Sequence, residues 1–318
     1  LVSSSRNRKW PRRAWLGGAA AAGLGTTGAL LYNAAPSFWR QYASEMGRPI
    51  APAPAAPEPR KWSDRGLHAA WLGHSTVLLK IDGFTILTDP IFSARAGLNI
   101  GPATLGVKRL VAPALELHQL PHVDLVLVSH AHMDHLDVPS LGRLASRKTA
   151  IIMASKTSDL IRPERYASCR ELAWGERSAI GPATVRAFEV KHWGARMRTD
   201  TWRGYNGYMI SAGRYRVIFA GDTALTPAFR ALRDSRPFDL AVMPIGAYNP
   251  WIRNHCTPEQ AWRMGEEAGA QFLLPVHHRT FRLSSEPVAE PFERLQEAAG
   301  QEANRIAISR IGEEWRLA

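Results

Sequence analysis

Cysteine is scarce: the 318 residues contain two, Cys169 and Cys256. That number excludes a disulfide framework, and their wide separation excludes a paired-thiolate zinc motif. A metal site in this chain therefore has to rest on histidine and carboxylates. Acidic residues are outnumbered, 28 Asp+Glu against 40 Lys+Arg, but the excess is uneven. Residues 1–65 hold 10 Lys+Arg and 3 Asp+Glu, which leaves 30 against 25 for the rest. That remainder lacks any run of Lys/Arg interleaved with aromatics. No nucleic-acid partner is expected, and a small or lipidic anionic substrate is favoured. Internal repeats are missing too, so the 45% hydrophobic content implies an ordinary globular core and not a solenoid.

Charge is absent from Ala14 to Trp39, directly after Arg6, Arg8, Lys9, Arg12 and Arg13. A basic segment followed by an apolar one reads as a targeting or membrane-anchor leader over residues 1–47. Gly17, Gly18, Gly23, Gly25 and Gly28 make the apolar stretch a weak membrane span. Arg12-Arg13 before a Gly/Ala-rich segment resembles a twin-arginine export signal. Export to the periplasm or membrane anchoring is expected, the alternative being a basic tail on a cytoplasmic enzyme. Residues 48–61 carry Pro49, Pro52, Pro54, Pro57 and Pro59, a composition that favours extended polyproline II and is expected to act as a linker. The folded domain is expected over residues 62–318.

Within that domain, Leu67–Leu72, Thr76–Ile81 and Phe84–Thr88 read as strands, with Asp82-Gly83 as a two-residue hairpin turn. Further strands are expected at Leu125–Ser129, Ala150–Met153, Thr184–Val190, Tyr205–Ile210, Arg216–Ala220, Leu240–Pro244 and Phe272–Val276. Thr257-Pro258-Glu259-Gln260 predicts a helix start with a capping box, and Pro291–Ala299 a second helix closed by Gly300. Many strands joined by hairpins and helices imply two packed sheets with helices outside.

The segment Ser129-His130-Ala131-His132-Met133-Asp134-His135 follows an apolar strand and places four ligand-type side chains in six positions. Residues two apart on an extended chain face the same side, so His130 and His132 can converge on one ion, with Asp134 and His135 aimed beside it. Imidazole and carboxylate suit zinc, and a site with an open coordination position is the catalytic kind. His192, Asp222 and His277-His278 each follow an apolar strand in the same way.

These motifs, in this order, resemble those of the metallo-β-lactamase superfamily. The likeness is nearest to its N-acylphosphatidylethanolamine-hydrolysing phospholipase D branch and that branch's bacterial relatives. It rests on Trp71-Leu72-Gly73-His74-Ser75-Thr76, Leu87-Thr88-Asp89-Pro90-Ile91-Phe92, Ser129 through Asp137, His192-Trp193, Phe219-Ala220-Gly221-Asp222-Thr223 and Pro244-Ile245-Gly246-Ala247-Tyr248. The resemblance implies an α/β four-layer αββα sandwich with two zinc ions between the sheets, other divalent metals being alternatives. It places His130, His132 and His192 on one ion and Asp134, His135 and His277 on the other, with Asp222 bridging. His277 takes that role because Thr280-Phe281 follows at the family's spacing. His278-Arg279 stands where the relatives have Trp-Gly, which leaves the floor of the pocket and the substrate open. Asp89 and His255 match an Asp and a His beside the metals and are expected to protonate the leaving group, while Asp134 is counted with the catalytic residues.

The implied activity is zinc-dependent hydrolysis, first of all by a phosphodiesterase of phospholipase D type acting on a glycerophospholipid-like substrate. A hydroxide shared by two cations would attack phosphorus, since zinc brings the pKa of its water near neutrality. A lactonase or other ester or amide hydrolase is the alternative on the same centre. A di-iron redox enzyme and a non-catalytic metal protein are the alternatives of another class. Histidine at the second motif position, where the di-iron branch commonly has glutamate, disfavours the former. Trp193, Trp202, Tyr205, Tyr208, Tyr248 and Trp251, with Arg196, Arg198, Arg203 and Arg253, are candidates for contact with a phospholipid or membrane. Arg95, Lys108 and Arg109 are candidates for a loop that caps the pocket.

Overall fold

The computed structural model describes residues 36–318 except Pro102 and Arg198. The chain divides into two compact units, 1–48 and 49–318. The described part of the first contains one helix, α1 (Pro36–Glu45). The apolar stretch expected as a leader lies mostly outside the described residues. Among the described residues, no helix is long and apolar enough to cross a membrane.

The second unit is built on two sheets. In the larger, β1 (Leu67–Gly73), β2 (Thr76–Ile81) and β3 (Phe84–Thr88) form the expected meander. Asp82 and Gly83 turn between β2 and β3 with φ of 46° and 88°, the left-handed pair that a tight hairpin requires. β6 (Leu125–Val128), β7 (Ala150–Ala154) and β8 (Ser168–Leu172) continue the sheet in parallel, and β15 (Glu314–Leu317) closes its other edge. The second sheet runs β9 (Arg177–Ile180), β10 (Ala183–Phe188), β11 (Gly207–Ala212), β12 (Tyr215–Phe219), β13 (Phe238–Pro244) and β14 (Ala270–Val276), the last three parallel. β4 (Arg95–Ile100) and β5 (Ala103–Lys108) form a separate hairpin.

Period-two alternation shows how the layers are divided. On β12 and β13, Val217, Phe219, Leu240 and Val242 face a core shared with Leu78, Ile86, Val126 and Ile152 of the first sheet. The intervening Ile218, Ala241 and Met243 face a second core with Trp262 and Met264 of α4 (Pro258–Ala268) and Phe292 and Leu295 of α5 (Glu290–Ala299). α2 (Val138–Leu144) buries Leu141 with the first sheet, and α3 (Ala228–Leu232) buries Phe229 in the second core. The result is the αββα sandwich. Thr257 caps α4 through the expected box with Gln260.

Three expectations change. β4, β5, β8, β9 and β15 carry too little apolar sequence to be read as strands. β8, β9 and β15 lie at sheet edges, where exposed polar side chains are tolerated. The strand expected over Thr184–Val190 ends at Phe188, because the chain leaves the sheet to deliver His192. The proline-rich segment 48–61 is not a free linker: Ala51 exchanges backbone hydrogen bonds with Leu110 and Ala112 (3.0 and 2.8 Å), and Pro57 and Pro59 are buried.

Candidate metal centre

All the candidate side chains leave the same edge of the sandwich. β3 and β6 are parallel neighbours, so Asp89 and His130 emerge together just past their C-terminal ends. β10, β12 and β14 point the same way in the facing sheet, and His192, Asp222 and His277 follow those strands. Chain reversal after β6 is pinned by short-range bonds. His135 and Leu136 donate their backbone N–H to His132 O (3.1 and 2.8 Å). Arg196 braces the turn from outside, its Nη1 donating to Ala131 O and Leu136 O (3.0 and 2.8 Å). Asp137 then caps α2.

Two four-residue ligand-type groups result, with smaller groups overlapping them. His130, His132, His192 and Asp222 offer atoms that all lie within 4.8 Å of one another, and Asp222, His255 and His277 do the same. Asp134, His135, His277 and His74 form the neighbouring group. His130 Nε2 and His192 Nε2 lie 2.8 and 3.3 Å from His132 Nδ1. Asp222 Oδ2 sits between the groups, 3.1 Å from both His135 Nε2 and His277 Nε2 and 4.0 and 3.8 Å from His130 Nε2 and His192 Nε2. Asp134 Oδ2 is 3.5 Å from both His135 Nε2 and His277 Nε2.

The donor set fits cations. Buried polar atoms are nearly always hydrogen-bonded, and each one left unpaired costs about 1–3 kcal/mol. Here His132 Nε2, His135 Nε2, both Asp222 oxygens, His255 Nδ1 and both ring nitrogens of His277 are buried without a hydrogen-bond partner. The close contacts of Asp222 are near enough for ion pairing but not aligned as hydrogen bonds. Burial, reinforced by neighbouring imidazoles, holds His130 well below the ordinary histidine range. Burial likewise lowers His192 well below that range and His132 to about 4, so these rings are neutral and keep a lone pair for a metal. At His135 and His277 burial also lowers the pKa, but the carboxylates outweigh it: His135 rises well above the ordinary value and His277 to about 9.

Asp89 is placed differently from the expectation. Its Oδ2 accepts from His135 Nδ1 (2.6 Å) and from Ser129 Oγ (2.6 Å), and its Oδ1 accepts from the Ser129 backbone N–H (2.7 Å). It is fully buried behind His135, with neither oxygen turned to the open side. A proton donor to a leaving group does not fit there, whereas orientation of His135 does. Ser129 Oγ also lies 2.8 Å from His130 Nδ1, so one carboxylate braces a ring in each group. His255 does face the cluster, its Nδ1 3.8 Å from Asp222 Oδ2. Burial holds it down to about 4, which makes it a neutral imidazole rather than the near-neutral acid expected.

His74 is the residue that sequence reasoning quoted but gave no role. Its Nε2 lies 2.9 Å from Asp134 Oδ2, and its ring packs on His277 at 4.3 Å. The signal was Gly73-His74 directly after β1, the same strand-end pattern as the other histidines. His278 points elsewhere, stacked between Trp71 (4.6 Å) and Phe292 (6.0 Å).

Several lipid-contact candidates are structural. Tyr208 is fully buried and donates to Val128 O (2.9 Å), and Tyr248 donates to Glu290 (2.7 Å). Arg203 is buried against Asp159 and Asp200, each at 2.6 Å. Arg109 is buried too, stacked over Phe281 instead of capping a pocket. Arg198 lies outside the described residues. Exposed apolar side chains remain on two loops beside the cluster: Trp193, Met197 and Trp202 on one, Trp251 and Ile252 on the other. The loops meet where His192 Nδ1 bonds Asn254 O (2.9 Å).

The sequence matches the family described as "Beta-lactamase superfamily domain" over residues 85–278. It is 35% identical over 278 residues to an uncharacterized protein of Mycobacterium tuberculosis, covering 84% of this chain and 73% of that protein. It is 31% identical over 253 residues to N-acyl-phosphatidylethanolamine-hydrolyzing phospholipase D 1 of Caenorhabditis elegans, covering 74% of this chain and 70% of that protein. Its fold is similar to that of Igni18, a metallo hydrolase of the archaeon Ignicoccus hospitalis, with TM-score 0.60 and 18% identity over 80% of this chain and 99% of the other. The chain belongs to the metallo-β-lactamase superfamily and is a metal-dependent hydrolase.

Proposed function

We propose that the protein is a zinc-dependent phosphodiesterase of phospholipase D type that takes a glycerophospholipid. Two zinc ions are assigned, one to His130, His132 and His192, the other to Asp134, His135 and His277, with Asp222 shared. The observation that carries the dinuclear assignment is Asp222 Oδ2, buried without a hydrogen-bond partner among five histidine nitrogens at 3.1–4.0 Å. Bound there, zinc supplies Lewis-acid polarisation of a phosphoryl oxygen and lowers the pKa of coordinated water from 15.7 to about 7.

The chain's own residues supply the rest. Asp89, directly and through Ser129, holds His135 and His130 in orientation, and His74 holds Asp134. His255 presents a neutral imidazole to the cluster and is assigned the hydrogen bond to the departing oxygen. Trp193 packs at 4.4 Å from His132, and its loop and the one it meets at Asn254 also expose Trp202, Trp251 and Ile252, apolar side chains suited to acyl chains at a bilayer surface. Likeness to the nematode phospholipase D supports the phosphodiester substrate.

The test is a substrate comparison on one purified, zinc-loaded sample. Release of phosphatidic acid from N-acylphosphatidylethanolamine or phosphatidylethanolamine vesicles, without lactone opening, is expected. Lactone opening with intact phosphodiesters would replace the reading by a lactonase. Iron in the protein before zinc loading, with oxygen-dependent turnover, would replace it by a redox enzyme.

A further inference from the structure

A cavity whose lining includes none of the His/Asp cluster lies beside α2. Val138, Leu141, Gly142 and Ala145 of α2 and its C-terminal end face Leu160 and Ile161 across a cleft of about 270 Å³. Its floor is Tyr166, whose hydroxyl is taken up by Leu141 O (2.7 Å), so the floor offers a ring face and no free polar group. Leu141 and Tyr166 belong to the main core, and Val138, Ala145, Leu160 and Ile161 pack against it. The walls are therefore fixed by the fold.

Two features set this cleft apart from a packing gap. The first is charge at its rim. Arg162 and Arg165 line the cleft, both are exposed, and neither guanidinium has a hydrogen-bond or ion-pair partner among the described residues. Residues 138–166 contain six Lys/Arg against two acids, most of the modest basic excess of the domain. The second is Gly142. Glycine inside a helix is less stable than alanine, and here packing does not require it, since a Cβ would meet nothing within 4 Å. It leaves open the wall where any larger residue would enter the cleft.

We propose that this cleft binds a single-chain anionic amphiphile, its alkyl chain between α2 and residues 160–161 and its carboxylate or phosphate head on Arg162 and Arg165. Apolar lining with a few placed polar groups is the usual composition of a ligand pocket, and the volume lies just below the ~300–1,000 Å³ range of drug-sized sites. It suits one unbranched chain. The forked guanidinium pairs with either head chemistry. The site is independent of the reaction assigned to the metal cluster.

Titration calorimetry on the whole protein tests it, with decanoate, decyl phosphate, decyl maltoside and acetate below micelle-forming concentrations. Decanoate and decyl phosphate are expected to saturate at one per chain, decyl maltoside to bind at least tenfold more weakly, and acetate not to bind. The R162Q/R165Q variant is expected to weaken both anions at least tenfold and leave the maltoside unchanged. The G142L variant, whose leucine is a better helix former, is expected to remove binding of all three while retaining the parent's unfolding temperature and metal content. Absence of saturable binding, or anion binding by G142L at the parent's affinity, would overturn the proposal and assign any uptake to the metal-centre rim.

Discussion

Asp89 Oδ2 accepts a 2.6 Å hydrogen bond from His135 Nδ1 while both residues are fully buried. The carboxylate therefore fixes the orientation of the His135 ring and aims Nε2 at Asp134 and Asp222. Replacing Asp89 by asparagine puts an amide donor where an acceptor is needed. D89N is expected to lose about 10–100-fold in metal affinity, the range for such supporting residues. Competition with a chromogenic chelator measures it. Wild-type affinity with lost turnover would restore the proton-donor role to Asp89.

His74 stands in the same relation to Asp134, at 2.9 Å. H74A is expected to weaken the Asp134/His135/His277 half of the centre, again by about 10–100-fold, and H74Q to recover part of the loss. Metal stoichiometry of dialysed protein separates the halves: about one ion per chain is expected for H74A where the parent keeps two.

Metal uptake by the metal-free protein should release protons unevenly. Burial lowers every histidine of the cluster, but Asp222 and Asp134 raise His277 to about 9 and, with Asp89, hold His135 well above its ordinary value. Both are imidazolium at pH 7, whereas His130, His132 and His192 are neutral. Filling the Asp134/His135/His277 half should expel about two protons and filling the His130/His132/His192 half about none. Affinity of the Asp134/His135/His277 half consequently rises with pH until both His135 and His277 have titrated, while that of the His130/His132/His192 half is flat across the neutral range. A zinc titration in weak buffer with a pH indicator reads the release directly.

Trp202 and Trp251 are 59% and 50% exposed, yet sit on loops that meet beside the cluster. The W202A/W251A variant is expected to raise the apparent KM on phospholipid vesicles about tenfold or more, as apolar anchoring area is lost. Turnover of a short, water-soluble phosphodiester should be unchanged. Equal loss on both substrates would mean that the loops shape the site instead.

Gly312 permits the proline-rich segment to pack closely on the domain: it has φ of +90°, its N–H donates to Trp71 O (2.7 Å), and a Cβ would stand 1.9 Å from Ala55 O. G312A is expected to cost about 1–3 kcal/mol, typical of overpacking, and to expose residues 49–60 to protease. Thermal unfolding and limited proteolysis check both.

The ligand-type residues were legible in the sequence because each follows an apolar strand, and a strand's end is where side chains escape the core. His130, His132, Asp134, His135, His192, Asp222 and His277 all carry that local mark. Alternation and turn chemistry likewise determined the central strands and the hairpin at Asp82-Gly83. Tertiary structure alone decided what stands behind those residues. Whether Asp89 touches a substrate or His135, whether His255 is charged, and whether Arg203 meets lipid or Asp159 depend on partners 40 or more positions away and on burial. The edge strands β8, β9 and β15 and the docking of residues 49–59 were decided there as well. Their stability comes from a neighbour's backbone and surface, which no local pattern encodes.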